Sequence, residues 1–113
     1  GSRGTVRDYI YVEDLAGGLV AALEHGVVGD IYNIGTGLGL DNRKVLDEIV
    51  KVTYQSAYPL ELIVKPERPF DVAANVLSSA KLTYVSGWRP QTEFATGLVS
   101  TWAWALQHGA ALE

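Results

Sequence analysis

The chain of 113 residues contains no cysteine, no methionine and only two histidines. Without thiols it has no disulfides and no thiolate metal centre. His25 and His108 stand far apart in sequence, so no metal site is expected. No apolar run approaches the ~20 residues that cross a bilayer, and no signal-peptide pattern opens the chain. These absences point away from a membrane partner and towards a cytoplasmic setting. Basic runs are missing as well: the net charge is −4, and nucleic-acid binding, which needs clustered lysine and arginine, is not expected. The lack of methionine even at the start reads as a segment of something longer, or as appended residues at Gly1-Ser2 and Leu112-Glu113.

What is present suits one globular domain, taken as residues 3–110. Apolar residues make up 48% and charged residues 19%, ordinary values for a globular protein. The organising stretch runs from Arg7 to Gly37, RDYIYVEDLAGGLVAALEHGVVGDIYNIGTG. Alternation over Arg7–Val12 predicts a short strand, and the 3.6-residue period of Leu15, Leu19, Val20, Ala22 and Leu23 predicts a helix from Glu13 to His25. Gly26 ends that helix. Gly17 and Gly18 each cost it roughly 1 kcal/mol relative to alanine, which suggests close packing. Ile31–Ile34 reads as a buried strand before the bend at Gly35, Gly37 and Gly39.

Asp41 is placed to N-cap a second helix over Asn42–Tyr54, with Val45, Leu46, Ile49 and Val50 inward and Asp47 paired with Lys51. Leu60–Val64 reads as a third strand. Pro66–Asp71 is too proline-rich for a helix or central strand and is expected to be an ordered loop. An extended piece over Val72–Val76 precedes a short helix, Ser78–Val85, closed by Gly87. A final helix runs over Glu93–Gln107 with Phe94, Leu98, Trp102 and Leu106 on one face. The fold class is α/β, with about four helices and three to four short strands in one compact unit.

Few candidate sites survive scrutiny. The glycine bend has the first two positions of G-x-G-x-x-G in Gly35 and Gly37, but Leu40 stands where the third glycine belongs, so it reads as a structural turn. Glu13-Asp14 and Asp47-Glu48 read as solvated helix faces. Neither histidine has a sequence-evident serine or cysteine partner, and no catalytic residue is assigned. Arg7 and Arg68 stand out because planar guanidinium groups make bidentate contacts to phosphate oxygens. Asp71, three residues after Arg68, can accept hydrogen bonds from sugar hydroxyls. On chemistry alone, an anion-plus-sugar site and an ordinary surface ion pair both remain open.

RDYIYVEDLAGGLVAALE, YNIGTG, ERPFD and SSAKLTYVSGWRPQTEFATGLVSTWAW occur in this order over about residues 4–107. Together they resemble the C-terminal part of the extended short-chain dehydrogenase/reductases, the NAD-dependent nucleotide-sugar epimerases and dehydratases. The resemblance implies a partial Rossmann-like sheet segment with a small substrate-binding subdomain. It implies that Arg7, Arg68 and Asp71 bind the nucleotide diphosphate and ribose of a nucleotide-sugar such as a UDP-hexose, and that Tyr9 lines the pocket. Two residues depart from the pattern: Phe70 replaces the usual glycine, crowding the loop, and Asn75 stands where some epimerases carry tyrosine.

The family's N-terminal G-x-x-G-x-x-G fingerprint is not in this chain. None of its six tyrosines has lysine four positions later, so the Y-x-x-x-K acid/base pair is missing too. NAD, the cofactor of the family, is therefore not expected to be held by this chain, nor hydride transfer carried out by it. Two readings follow. One is a substrate-binding portion of such an enzyme; the other is a stand-alone, non-catalytic binding or assembly domain. Without the family's N-terminal sheet, an apolar face and a strand edge are expected to be covered by a second copy, giving a homodimer or larger.

Overall fold

The computed structural model describes residues 4–109, so both chain ends singled out above, and the outermost positions of the 3–110 span, lie outside the described residues. Four helices and a three-stranded mixed sheet form an α/β arrangement, as the pattern of the chain predicts. Strand β1 (Val6–Arg7) is followed by α1 (Val12–His25), β2 (Leu40–Asp41), α2 (Asn42–Gln55), β3 (Ala74–Asn75), α3 (Ala80–Ser86) and α4 (Phe94–His108). β1 is central, antiparallel to β2 through Val6–Asp41 and parallel to β3 through Val6–Ala74. The ladder extends past β1, where the Asp8 amide donates to the Asn75 carbonyl at 3.2 Å.

The strands are where sequence and structure part. Only Arg7 of the expected Arg7–Val12 strand lies within β1, with the Asp8 amide adding one bond beyond it; Tyr11 becomes the N-cap residue of α1 in extended conformation. Ile31–Ile34 and Leu60–Val64 lie in no strand. A strand needs a neighbour, and among the described residues neither segment pairs with one. Ile31 and Leu62 to Val64 are instead exposed. β2, which the sequence does not announce, forms because Leu40-Asp41 turns back along β1 just before α2.

The helices follow expectation within two residues at each end. Asp41 caps α2 by accepting from the Lys44 amide at 2.8 Å. Gly87 closes α3 at φ +75, a left-handed conformation that costs glycine little. Gly26 also ends α1, but in extended conformation. Lys51 pairs with Glu48 at 3.2 Å instead of with Asp47.

The helical faces are only partly covered. α1 packs on α3, and α2 on α4. α1 buries Gly18, whereas Leu19, Val20 and Leu23 of the expected inward stripe are exposed. On α4 the half-buried row is Phe94, Leu98, Trp102 and Ala105, and Leu106 faces out. Leu82 is the one large side chain fully buried among the described residues. The radius of gyration is 16.6 Å, against about 13 Å for a compact chain of this length. The chain is therefore more open than a compact chain of this length, with its helices packed in two pairs.

Candidate functional site

Arg68 and Asp71 sit on one turn. The Asp71 amide donates to the Arg68 carbonyl at 3.2 Å, with Pro69 at the second position, where its fixed φ favours a turn of this kind. The same spacing joins the side chains: Arg68 Nε donates to Asp71 Oδ2 at 3.0 Å. Arg68 is 68% exposed and Asp71 22%, so the guanidinium reaches into solvent from a carboxylate that is largely covered. The Phe70 ring lies under the guanidinium, 5.6 Å from Cζ to its centroid, and is itself exposed. Phe70 thus lies against the cation from its solvent side.

This turn borders an open cleft of about 550 Å³. Asn42 and Leu46 of α2 form one wall, and Leu62 to Glu67 form the other, with Lys65 adding a second cation. The cleft combines an apolar wall with convergent charged groups, the make-up of a small polar ligand's site.

Arg7 and Tyr9 are placed elsewhere. Arg7 does not line the cleft; its Nη1 donates to the carbonyl of Val6 at 2.8 Å. It is nevertheless tied to the loop through the ladder, since the Val6 amide donates to the Ala73 carbonyl at 2.9 Å, two residues after Asp71. Tyr9 stacks edge-on against Phe94, with centroids 5.6 Å apart, between two further cavities of about 340 and 380 Å³. Asn75 is exposed on β3. The structure therefore joins Arg68 with Asp71, connects Arg7 to them by backbone, and leaves Tyr9 apart.

The histidines are accounted for locally. His25 lies 3.8 Å from Glu24, and His108 stacks on Trp104 with its Nδ1 2.8 Å from the Trp104 carbonyl.

Two carboxylates have roles that sequence reasoning missed. Asp14, read as solvated, accepts from the amides of Gln91 at 3.1 Å and Thr92 at 2.8 Å, docking the segment before α4 onto α1. Asp8 accepts from the amides of Thr36 and Gly37, both at 3.0 Å, from Leu77 at 3.2 Å, and from the Thr36 hydroxyl at 2.5 Å. Burial alone pushes the Asp8 carboxyl up, but the Thr36 hydroxyl and these amides outweigh it and hold the carboxyl below its ordinary 3.8. No local spacing signals this, because the partners lie 28, 29 and 69 residues away.

The same contacts occupy the glycine bend. Thr36 and Gly37 direct their amides at a protein carboxylate, and Gly37 holds the bend open at φ +77. The Gly35, Thr36 and Gly37 amides are thus all engaged by side chains of the protein itself, as in a structural turn.

A family profile described as the NAD dependent epimerase/dehydratase family matches residues 1–35. The chain is 34% identical over 107 residues to a UDP-glucose 4-epimerase of Lactobacillus helveticus, covering 91% of this chain and 32% of that protein. It is 36% identical over 103 residues to that of Bifidobacterium longum, covering 88% and 29%. The solved UDP-glucose 4-epimerase of Thermotoga maritima with UDP-glucose superposes at TM-score 0.83 and 31% identity, covering 100% of this chain and 34% of that one. The B. longum enzyme in complex with NAD+ and UDP gives 0.79 and 31%, covering 94% and 31%. The chain thus spans about a third of the length of the curated relatives it matches.

Proposed function

We propose, for a chain that is NAD-dependent epimerase/dehydratase-like, that it supplies the nucleotide-diphosphate-binding side of a larger sugar-nucleotide enzyme. The observation that carries this is the Arg68–Asp71 pair on a single turn at the rim of the 550 Å³ cleft. A diphosphate needs cations near a protein of net charge −4; Arg68 and Lys65 line the cleft beside the carboxylates of Glu67 and Asp71, and the exposed Arg68 is the cation this reading uses. When phosphate oxygens displace Asp71 from Arg68, the carboxylate is released to accept from sugar hydroxyls. Arg7, carried on the adjoining strand, is the second diphosphate contact. Tyr9 stands outside this cleft, lining two other cavities.

The ligand class is a nucleotide-sugar, with a UDP-hexose the leading candidate because the relatives act on UDP-glucose or are solved with UDP. The chain is assigned binding and not chemistry. NAD and an acid/base tyrosine would be held by residues outside it, in a domain equivalent to the N-terminal portion of the relatives. Among the described residues no helix is long and apolar enough to cross a membrane, and a cytoplasmic setting is part of the same reading. Amide exchange of the Arg68–Asp71 turn, with UDP and with uridine, tests the assignment. UDP alone should slow exchange there; equal effects from both, or none, would refute it.

A second reading is favoured by the exposed Leu19, Val20, Leu23, Val27, Val28 and Ile31 on and after α1. Such a surface is that of an assembly domain, closing as a homodimer or larger. Light scattering decides it: a monomeric mass at working concentration rules out self-assembly through this face.

A further inference from the structure

The strongest unassigned feature is the hub at Asp8. One carboxylate gathers donors from two segments distant in sequence, the 35–37 bend and the exit of β3 at Leu77. The same residue's backbone amide holds Asn75, and the neighbouring Val6 amide holds Ala73. Residues 73–77 are the stem through which the Arg68–Asp71 turn rejoins the sheet. Arg7, on the other side of that ladder, is the residue immediately before Asp8.

We infer that Asp8 is a positioning residue for the diphosphate site: its carboxylate fixes the strand that carries Arg7 against the stem of the loop that carries Arg68 and Asp71. The inference rests on the diphosphate reading for its functional consequence, but the clasp itself is defined by geometry. The partners of the carboxylate are all neutral donors, and among the described residues no lysine, arginine or histidine pairs with it. Four donors converge on two oxygens, an arrangement that an ionised carboxylate satisfies and an amide does not. An asparagine in this place would turn an NH₂ towards N–H groups. The Ser79 hydroxyl reinforces the same joint by accepting from the Gly35 amide at 2.8 Å and donating to its carbonyl at 2.7 Å.

Thr36 has a distinct part in the clasp. Its hydroxyl donates to Asp8 and accepts from the Leu38 amide at 3.1 Å. Serine can reproduce both contacts, whereas valine keeps the shape and loses both.

The test uses the full chain as wild type and as Asp8→Asn, Thr36→Val, Thr36→Ser and the surface control Asp47→Asn. Amide exchange and UDP titration are measured for each. Asp8→Asn and Thr36→Val should speed exchange at Thr36, Gly37 and Leu77 and weaken UDP binding by about tenfold or more, the order expected from losing charge-assisted bonds. Thr36→Ser and Asp47→Asn should match the wild type in both. Faster exchange in both disrupting variants with unchanged UDP affinity would overturn the positioning role, as would unchanged exchange in a folded Asp8→Asn chain. If Asp8→Asn does not fold, Thr36→Val against Thr36→Ser decides by the same two readouts. If the wild type binds no UDP, the diphosphate reading fails by itself. The clasp is then judged by whether Asp8→Asn shifts the Arg7 and Asp71 amide resonances together: a joint shift upholds it and unmoved resonances overturn it.

Discussion

The indole of Trp88 lies directly over Gly18 of α1, so that a methyl group at residue 18 would stand 3.2 Å from Cε2 and Cζ2 and 3.0 Å from Cγ2 of Ile34. Gly17, one position along, leaves 3.4 Å to the indole nitrogen, which is ordinary contact. The helix therefore contains two glycines with different reasons for being there.

Substituting each with alanine separates the two. Both changes relieve roughly 1 kcal/mol of helix propensity. At residue 17 nothing opposes that gain, and Gly17→Ala should raise stability by up to about 1 kcal/mol. At residue 18 three tight contacts, two on the Trp88 ring and one on the Ile34 methyl, oppose it, at the ~1–3 kcal/mol typical of overpacking. Gly18→Ala should be neutral to destabilising. Urea denaturation of the two variants checks the order, and a more stable Gly18→Ala would show that Trp88 gives way easily.

Asp14 anchors the approach to α4. Removing its carboxylate leaves the Gln91 and Thr92 amides without their partner, and the Thr92 amide is part-buried. Asp14→Ala should cost about 1–3 kcal/mol and loosen the segment between Gly87 and Phe94. Exchange protection at Thr92 reports this directly; protection equal to the wild type would remove the anchor from the account.

Acid should act through Asp8. Its folded carboxyl titrates below its ordinary 3.8, so its contribution is fully present above that value and is lost as pH falls through the folded one. Stability traced to this residue should be level from pH 7 to 5 and decline only in stronger acid. Asp8→Asn should be less stable than the wild type at neutral pH, with the gap narrowing as pH drops. A gap that stays constant through pH 3 would contradict the linkage.

How much of this was legible follows the range of the interactions. Helices α1, α2 and α4 announce themselves because periodicity acts within one or two turns, and at α2 a local cap adds to it: Asp41 caps Lys44 three residues on. The Arg68–Asp71 pair was legible for the same reason, being closed by a turn that Pro69 favours. Strands depend on partners elsewhere. Ile31–Ile34 and Leu60–Val64 have the right composition for strands but no ladder to join, while the two-residue β2 has no composition signal at all. The α1 stripe shows a related limit. Periodicity identifies an apolar face, as at Leu19 and Leu23, but not whether anything covers it. Asp8 and Asp14 escaped because a carboxylate's donors cannot be counted until distant amides are brought to it.

The central claim, a diphosphate site at Arg68, is tested most directly by calorimetric titration of UDP into the wild type and Arg68→Ala. The Arg68–Asp71 pair is exposed on the arginine side, and such pairs add about 0–1 kcal/mol to stability, so the variant should fold and denature nearly as the wild type does. The account predicts measurable binding of UDP by the wild type and a loss of about tenfold or more in Arg68→Ala. Equal affinity in the two proteins, or no heat from the wild type at millimolar UDP, would contradict it.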